Sequence, residues 1–159
     1  MRVAIYDVSG SAVNMVNSMQ MPFGEPGAAE SLKRVVEAGR LTASATPSIV
    51  AIAEHVIVVI GTPVDEHLNP DQAAVPNALT RCRPYLRSGQ ILILRSTVYP
   101  GVTAFVEKMM AELGLQIDVA FCPERIAEGK AMTELSSRRR LSPAALSAAW
   151  TGRAPCSAG

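Results

Sequence analysis

Two glutamates stand four residues apart near the end of the most regularly patterned part of the sequence. The segment FCPERIAEGKAM, residues 121–132, places Glu124 and Glu128 just after an apolar, strand-like stretch. A carboxylate acts as a general base toward an alcohol or a water molecule when burial raises its pKa. The alternative is that both side chains are solvated charges at a strand end. The surrounding sequence must decide between these two interpretations.

Small or polar residues also follow three other strand-like stretches: Asp7 after RVAIY, Gly61, Thr62 and Pro63 after HVIVVI, and Ser96 and Thr97 after QILIL. In open α/β sheets, ligands bind outside the carboxyl ends of the strands. Four strand ends of this composition are more than turn composition alone would produce. They therefore indicate a cofactor cleft.

Asp7 and Gly61 each have a possible role in such a cleft and a simpler alternative. A carboxylate at the tip of a second strand is suited to accept hydrogen bonds from ribose hydroxyls, although aspartate is common in any loop. Glycine lets a nucleotide approach the backbone closely, although a plain turn also uses glycine. Position alone leaves both alternatives open.

The elements that must position these residues alternate between strand-like and helix-like segments. Apolar, strand-like stretches occupy residues 2–6, 41–44, 55–60, 90–94 and 117–121. Helical periodicity favours helices near residues 9–19, 28–38, 72–86 and 102–113, with a brief one from 47 to 54. This alternation predicts an α/β fold with a doubly wound parallel sheet. The continuously apolar HVIVVI and QILIL predict strands covered on both faces.

Local signals predict where three of the helices begin or end. Gly39 is a predicted C′ stop for the second helix. Thr46 is a predicted N-cap, followed by Pro47 at the first helical position. Pro76 must lie in the first turn of its helix or kink it.

Length, composition and charge bound the class of protein. A chain of 159 residues is long enough for one domain with a real core, and 48% hydrophobic residues with 18% charged residues indicate a globular protein. The formal net charge of +1 gives no electrostatic case for nucleic acid or an anionic membrane, and the longest apolar stretch is too short to span a bilayer. Three cysteines without metal-ligand spacing suggest neither a disulfide framework nor a metal site. Since the N-terminus also lacks a signal peptide, we expect a reduced, cytoplasmic protein.

Several motifs occur together: YD, MPFGEPG, GTPVDEHLNPD, LRSTVYPGVT and FCPERIAEGKAMTEL, running from about residue 2 to residue 135. In order and spacing they resemble those of the nucleotide-sugar 6-dehydrogenases, the UDP-glucose and UDP-N-acetylmannosamine dehydrogenases of polysaccharide biosynthesis. The resemblance implies oxidation of a sugar C6 alcohol to a carboxylate in two NAD-dependent steps, through an aldehyde and a cysteine-linked thiohemiacetal. It implies NAD as the cofactor, a UDP-sugar as the substrate and a homo-oligomeric full-length protein.

The resemblance implies a cofactor-binding role for residues at the first three strand ends. Asp7 resembles the residue that binds the adenosine ribose. Thr62 and Pro63, which follow Gly61, resemble the loop beneath the cofactor phosphates and ribose. Thr97 resembles the threonine near the nicotinamide and the catalytic water.

The predicted catalytic residues are Thr97, Glu124 and Glu128. By resemblance, Glu124 serves in base chemistry or binds at the sugar, and Glu128 assists near both cofactor and substrate. Cys122 is predicted to be a small packed residue rather than the nucleophile, which the family places in a later domain, and Cys156 receives no catalytic role. The form CPER favours N-acetylmannosamine over glucose in the substrate.

Both ends of the chain depart from the family pattern. The glycine-rich turn expected about 20 residues before Asp7 is absent, so the chain begins at what resembles the second strand. In the strand order 3-2-1-4-5-6 the first strand lies between the second and the fourth, so RVAIY and HVIVVI would each expose an edge. We expect a partial Rossmann-like NAD-binding domain, residues 1–135, that is marginally stable and binds NAD weakly or not at all.

After Leu135 the sequence becomes rich in Ser, Ala, Arg and Pro, which predicts an irregular tail at residues 136–159. The family's catalytic cysteine, lysine, asparagine and most of its UDP-sugar pocket have no counterpart in this sequence. The chain alone is therefore expected to be inactive. The alternative function is that of a non-catalytic remnant or a module that binds partners through exposed strand edges.

Overall fold

Five short strands form two parallel sheets in the computed structural model, which describes residues 1–61, 73–96, 98, 100–123 and 131–132. In the first sheet, β1 (Val3–Tyr6) pairs with β2 (Leu41–Ser44). In the second, β4 (Ile91–Leu94) lies between β3 (His55–Val58) and β5 (Asp118–Phe121). All three strand pairs are parallel, which confirms the predicted type of sheet.

Helices connect the strands in the predicted alternation. In the described part of the chain the α-helices are α1 (Gly10–Asn17), α2 (Ala28–Glu37), α3 (Ala74–Cys82) and α4 (Val102–Glu112). Two 3-10 helices, Pro47–Ile52 and Arg83–Tyr85, complete the set. Pro76 lies in the first turn of α3, as predicted, where proline disrupts no intrahelical hydrogen bond.

Gly39 ends α2 in the predicted way. Its φ of +62° lies in the left-handed region that glycine adopts without steric cost. The amide of Gly39 donates to the Val36 carbonyl and that of Arg40 to the Val35 carbonyl, both at 2.9 Å. These two bonds form a Schellman motif, which satisfies carbonyls at the helix end and turns the chain into β2.

The brief helix after β2 differs from its prediction in one respect. Pro47 starts it as predicted, and it is a 3-10 helix. The Thr46 side chain, however, makes no capping hydrogen bond. The Ser44 hydroxyl, two residues earlier, accepts a hydrogen bond from the Thr46 amide at 3.0 Å instead. The Ser44 side chain thus forms a local turn just before the helix.

The hydrophobic core surrounds β4. Leu92 and Leu94 of that strand are fully buried, and Val106 and Met110 of α4 pack into the same cluster. QILIL is therefore a buried central strand, as predicted. The corresponding prediction for HVIVVI is wrong, because the exposed fractions of Ile57 and Val59 are 54% and 73%. Val58 of β3 is buried in the same cluster as residues of α3 and α4, whereas Ile57 on the other face is exposed, so one face of β3 is open to solvent in the described part of the chain.

β1 and β3 are edge strands in the described part of the chain. β1 pairs with β2 and β3 pairs with β4, and neither has a partner on its other edge within the described residues. Val3 and Ile57 are exposed beside these edges. The prediction that RVAIY and HVIVVI expose apolar strand edges is therefore confirmed. Tyr6 at the end of β1 packs against the cluster around β4, so both sheets contribute to one core.

Residues 136–159, for which an irregular tail is predicted, lie outside the described residues. Within the ranges given above, no helix combines the length and the hydropathy needed to cross a bilayer. His55 begins β3 and is exposed.

Candidate functional site

The predicted site residues divide into those that the structure describes and those that it does not. Asp7 and Gly61 are described and follow the carboxyl ends of β1 and β3. The others lie outside the described residues: Thr62, Pro63, Thr97, Glu124 and Glu128. The immediate neighbours of the second group, Ser96 and Pro123, are described and follow β4 and β5. The described residues Asp7, Gly61 and Ser96 thus follow the ends of β1, β3 and β4, as predicted, and the prediction for Glu124 and Glu128 after β5 lies outside the described residues.

Asp7 is exposed and its carboxylate has a defined orientation. Its backbone amide donates to the Ser44 carbonyl at 3.2 Å, which continues the pairing of β1 with β2. Its Oδ1 accepts a hydrogen bond from the Ser9 amide at 2.8 Å. The Ser9 hydroxyl in turn caps α1 by accepting from the Ala12 amide at 3.3 Å. The carboxylate is therefore held at the junction between β1 and α1.

Gly61 is exposed just beyond β3, and the described structure does not itself require glycine there. Among the described residues, no heavy atom lies within 4 Å of the position that a Cβ would occupy. Its φ also lies outside the left-handed region. A side chain at position 61 would therefore fit among the described residues. Because glycine has none, a ligand could approach the backbone of Gly61 closely.

Ser96 joins the ends of β3 and β4, a role that the sequence did not indicate. Its side chain is buried, with 6% of the residue exposed, and its Oγ accepts a hydrogen bond from the Ile60 amide at 2.7 Å. The Arg95 amide donates to the Val58 carbonyl at 3.0 Å just before this point. Ser96 thus fixes the position of the backbone that leads into Gly61.

Replacing Ser96 by alanine should lower the free energy of unfolding by about 1 to 3 kcal/mol, because the Ile60 amide would lose its acceptor in a partly buried place. Urea unfolding followed by circular dichroism measures this change. Ser48→Ala, at an exposed serine of the first 3-10 helix, is the matched control and should leave the midpoint unchanged. Equal midpoints for both variants would contradict the role assigned to Ser96.

The two described cysteines occupy different environments. Cys82 in α3 is buried, and this burial raises the pKa of its thiol, so the protonated form is favoured. Cys122 is exposed, so the prediction that it is a packed residue is wrong. The reason is that β5 ends at Phe121: the Cys122 amide still donates to the Leu94 carbonyl at 2.9 Å, but its side chain lies beyond the strand. Its Sγ is 3.8 Å from Nη1 of Arg95.

A family model for the NAD-binding domain of the UDP-glucose/GDP-mannose dehydrogenases matches residues 1–142. The chain belongs to this family. The match confirms the resemblance to the nucleotide-sugar dehydrogenases and NAD as the cofactor of this domain.

Relatives and solved structures agree with membership of this family. The chain is 33% identical over 147 residues to the UDP-N-acetyl-D-mannosamine dehydrogenase of Escherichia coli strain K12, covering 85% of this chain and 34% of the relative. It thus spans about a third of the length of this curated relative.

Two solved structures confirm the Rossmann-like fold of the family's N-terminal domain. A UDP-glucose dehydrogenase from Pyrobaculum islandicum is 30% identical, with a TM-score of 0.76 over 84% of this chain and 33% of that chain. The UDP-N-acetyl-mannosamine dehydrogenase of Staphylococcus aureus is 29% identical, with a TM-score of 0.76 over 85% of this chain and 34% of that chain. The partial α/β fold predicted from the sequence is therefore confirmed.

Proposed function

We propose that this chain supplies the cofactor-binding part of an NAD-dependent UDP-sugar 6-dehydrogenase. The observation that carries the proposal is the match of residues 1–142 to the family's NAD-binding domain, together with functional residue types at the carboxyl ends of the strands. NAD supplies the hydride acceptor in such an enzyme. The chain's own residues bind and orient it.

The described residues of the candidate site fit a dinucleotide. The exposed Asp7 carboxylate, held at the end of β1, is suited to accept hydrogen bonds from the adenosine ribose hydroxyls. The open backbone at Gly61 permits close approach of the phosphates and ribose, with Thr62 and Pro63 completing that loop. Ser96 positions this backbone from the neighbouring strand.

The proposed chemistry assigns the remaining predicted residues to the sugar side of the cofactor. Thr97 lies near the nicotinamide and the catalytic water, Glu124 acts in base chemistry or binds the sugar, and Glu128 assists near the cofactor and substrate. The substrate that we propose is UDP-N-acetylmannosamine, supported by the CPER motif and by the 33% identity to a dehydrogenase named for that sugar. The NAD-binding domain extends to residue 135 in this proposal, in a cytoplasmic protein that is homo-oligomeric at full length.

Addition of millimolar NAD to the chain should shift the backbone amide resonances of Ser9 and Gly61, because the cofactor would lie against both strand ends. The measurement is a titration followed by ¹⁵N–¹H correlation spectra. Asp7→Asn should reduce these shifts, since an amide is a poorer acceptor for ribose hydroxyls than a carboxylate. Asp118→Asn is the matched control, because Asp118 is an exposed aspartate at the amino-terminal end of β5.

Weak affinity is the expected result of this titration, because the open edges of β1 and β3 leave the sheet incomplete in the described structure. Affinity in the micromolar range would contradict that expectation. Shifts centred on residues other than the strand ends would contradict the proposed site.

The chain alone should also show no turnover: no NADH should form from NAD with either UDP-N-acetylmannosamine or UDP-glucose.

A second candidate function rests on the same edges. Within the described residues, β1 and β3 each have one edge without a partner strand, close to the exposed side chains of Val3, Ile57 and Val59, which suits pairing with an extended apolar strand of a partner. A folded far-ultraviolet spectrum with no response to NAD would favour this partner-binding module over the cofactor-binding function.

A further inference from the structure

A glutamate that the proposed chemistry does not use joins two distant parts of the chain. Glu25 lies in the MPFGEPG loop between α1 and α2, and its Oε1 accepts a hydrogen bond from the Ala131 amide at 2.9 Å. The bond is partly buried and spans 106 positions of the sequence. Hydrogen bonds to an ionised carboxylate are shorter and stronger than those between neutral groups.

The loop that carries Glu25 has a defined backbone. The Glu25 carbonyl accepts a hydrogen bond from the Ala28 amide at 3.1 Å, which closes the turn into α2. Gly27 completes that turn with a φ of +77°, a conformation that glycine adopts readily. A Cβ on Gly27 would lie 4.0 Å from Cγ of Met132, so this loop lies directly against residues 131–132.

The position of Ala131 in the sequence gives this contact its significance. Ala131 comes directly after the stretch that contains both predicted catalytic glutamates. On the amino-terminal side of that stretch, the Cys122 amide donates a hydrogen bond to the Leu94 carbonyl of β4 at 2.9 Å. On the carboxyl-terminal side, the Ala131 amide donates to Glu25 in the loop before α2.

We propose that Glu25 is a positioning residue, whose carboxylate holds the backbone after Lys130 against the MPFGEPG loop. This inference rests on the proposed function, because the position of the backbone near Ala131 affects cofactor and substrate only if the chain binds them. Glu25 acts through the Ala131 amide.

Trypsin provides a direct test, because it cleaves the peptide bond between Lys130 and Ala131. Limited digestion of the full chain, followed by mass spectrometry, measures the rate of cleavage at this bond. E25A should accelerate it about tenfold, in keeping with the loss of a hydrogen bond to a charged group. E25Q retains an acceptor oxygen and should stay closer to wild type. E30A, at an exposed glutamate in the first turn of α2, is the matched control and should have no effect.

Unchanged thermal melting of E25A alongside faster cleavage would identify a local effect rather than general unfolding. Equal cleavage of wild type and E25A would overturn the proposal. Deuterium exchange gives a readout that needs no variant: the Ala131 amide should be protected in the wild-type chain, and exchange at the rate of an open peptide would also overturn it.

Digestion with trypsin in the presence of millimolar NAD tests this inference and the proposed function separately. NAD should slow cleavage after Lys130 in wild type and E30A, and less so in E25A. If NAD slows cleavage in none of the proteins, the cofactor-binding proposal fails. The difference between E25A and E30A without NAD still decides whether Glu25 positions the segment.

Discussion

Replacing Leu94 by alanine should lower the free energy of unfolding by about 3 to 5 kcal/mol, the range found for buried leucines that leave a cavity. Leu94 is fully buried and lies in β4, which pairs with β3 on one side and β5 on the other. Small domains have only about 5 to 15 kcal/mol of net stability, so this single change removes a large share of it. Urea unfolding followed by circular dichroism measures the loss.

Ile57→Ala is the matched control for Leu94. Ile57 is an aliphatic residue in the neighbouring strand β3, paired in register with Ile93, but 54% of it is exposed. Substitutions at such exposed positions change stability by about 0.5 kcal/mol or less. Similar losses for the two variants would show that β3 is covered in solution and would contradict the observed open face.

Replacing Gln90 by leucine should lower the free energy of unfolding by about 3 kcal/mol, because three buried or partly buried hydrogen bonds to the backbone would be lost at once. Gln90 is 5% exposed and precedes β4. Its Nε2 donates to the carbonyls of Val50 and Ala53 at 3.0 and 2.7 Å, and its Oε1 accepts from the Arg87 amide at 2.9 Å. The Gln90 side chain thus connects the 3-10 helix before β3 to the turn before β4 by hydrogen bonds.

The same unfolding measurement applied to Gln116→Leu controls for the change of side chain, since Gln116 also precedes a strand but is exposed. That variant should have the stability of the wild type. Hydrogen exchange adds a local readout: in Gln90→Leu, the amides of β3 should lose protection first, because its start is no longer held. A Gln90→Leu variant as stable as wild type would contradict the role of this cluster.

The element pattern was predictable from the sequence because it depends on local periodicity and on a few punctuating residues. Gly39 ends α2 and Pro47 starts its helix as predicted, since left-handed φ and a fixed φ are intrinsic to these residue types. Burial was less predictable. QILIL and HVIVVI are equally apolar, yet only the first is covered on both faces, and the difference depends on which elements pack beside each strand.

The candidate site was predictable to the extent that it follows strand ends. Asp7 and Gly61 lie where the strand-end rule places them. Thr62, Pro63, Thr97, Glu124 and Glu128 stay predictions. The contacts of Ser96 and Glu25 could not be predicted, because they join residues 36 and 106 positions apart, and no local pattern records such distances.

In the described part of the chain the edges of β1 and β3 are open, so self-association of this protein should depend on its concentration. An unpaired edge is a template for another strand, and a second copy of the chain carries the same apolar stretches. Encounters between copies rise with concentration, whereas closure within one copy does not. Dilute chains should therefore stay monomeric, and concentrated ones should associate edge to edge.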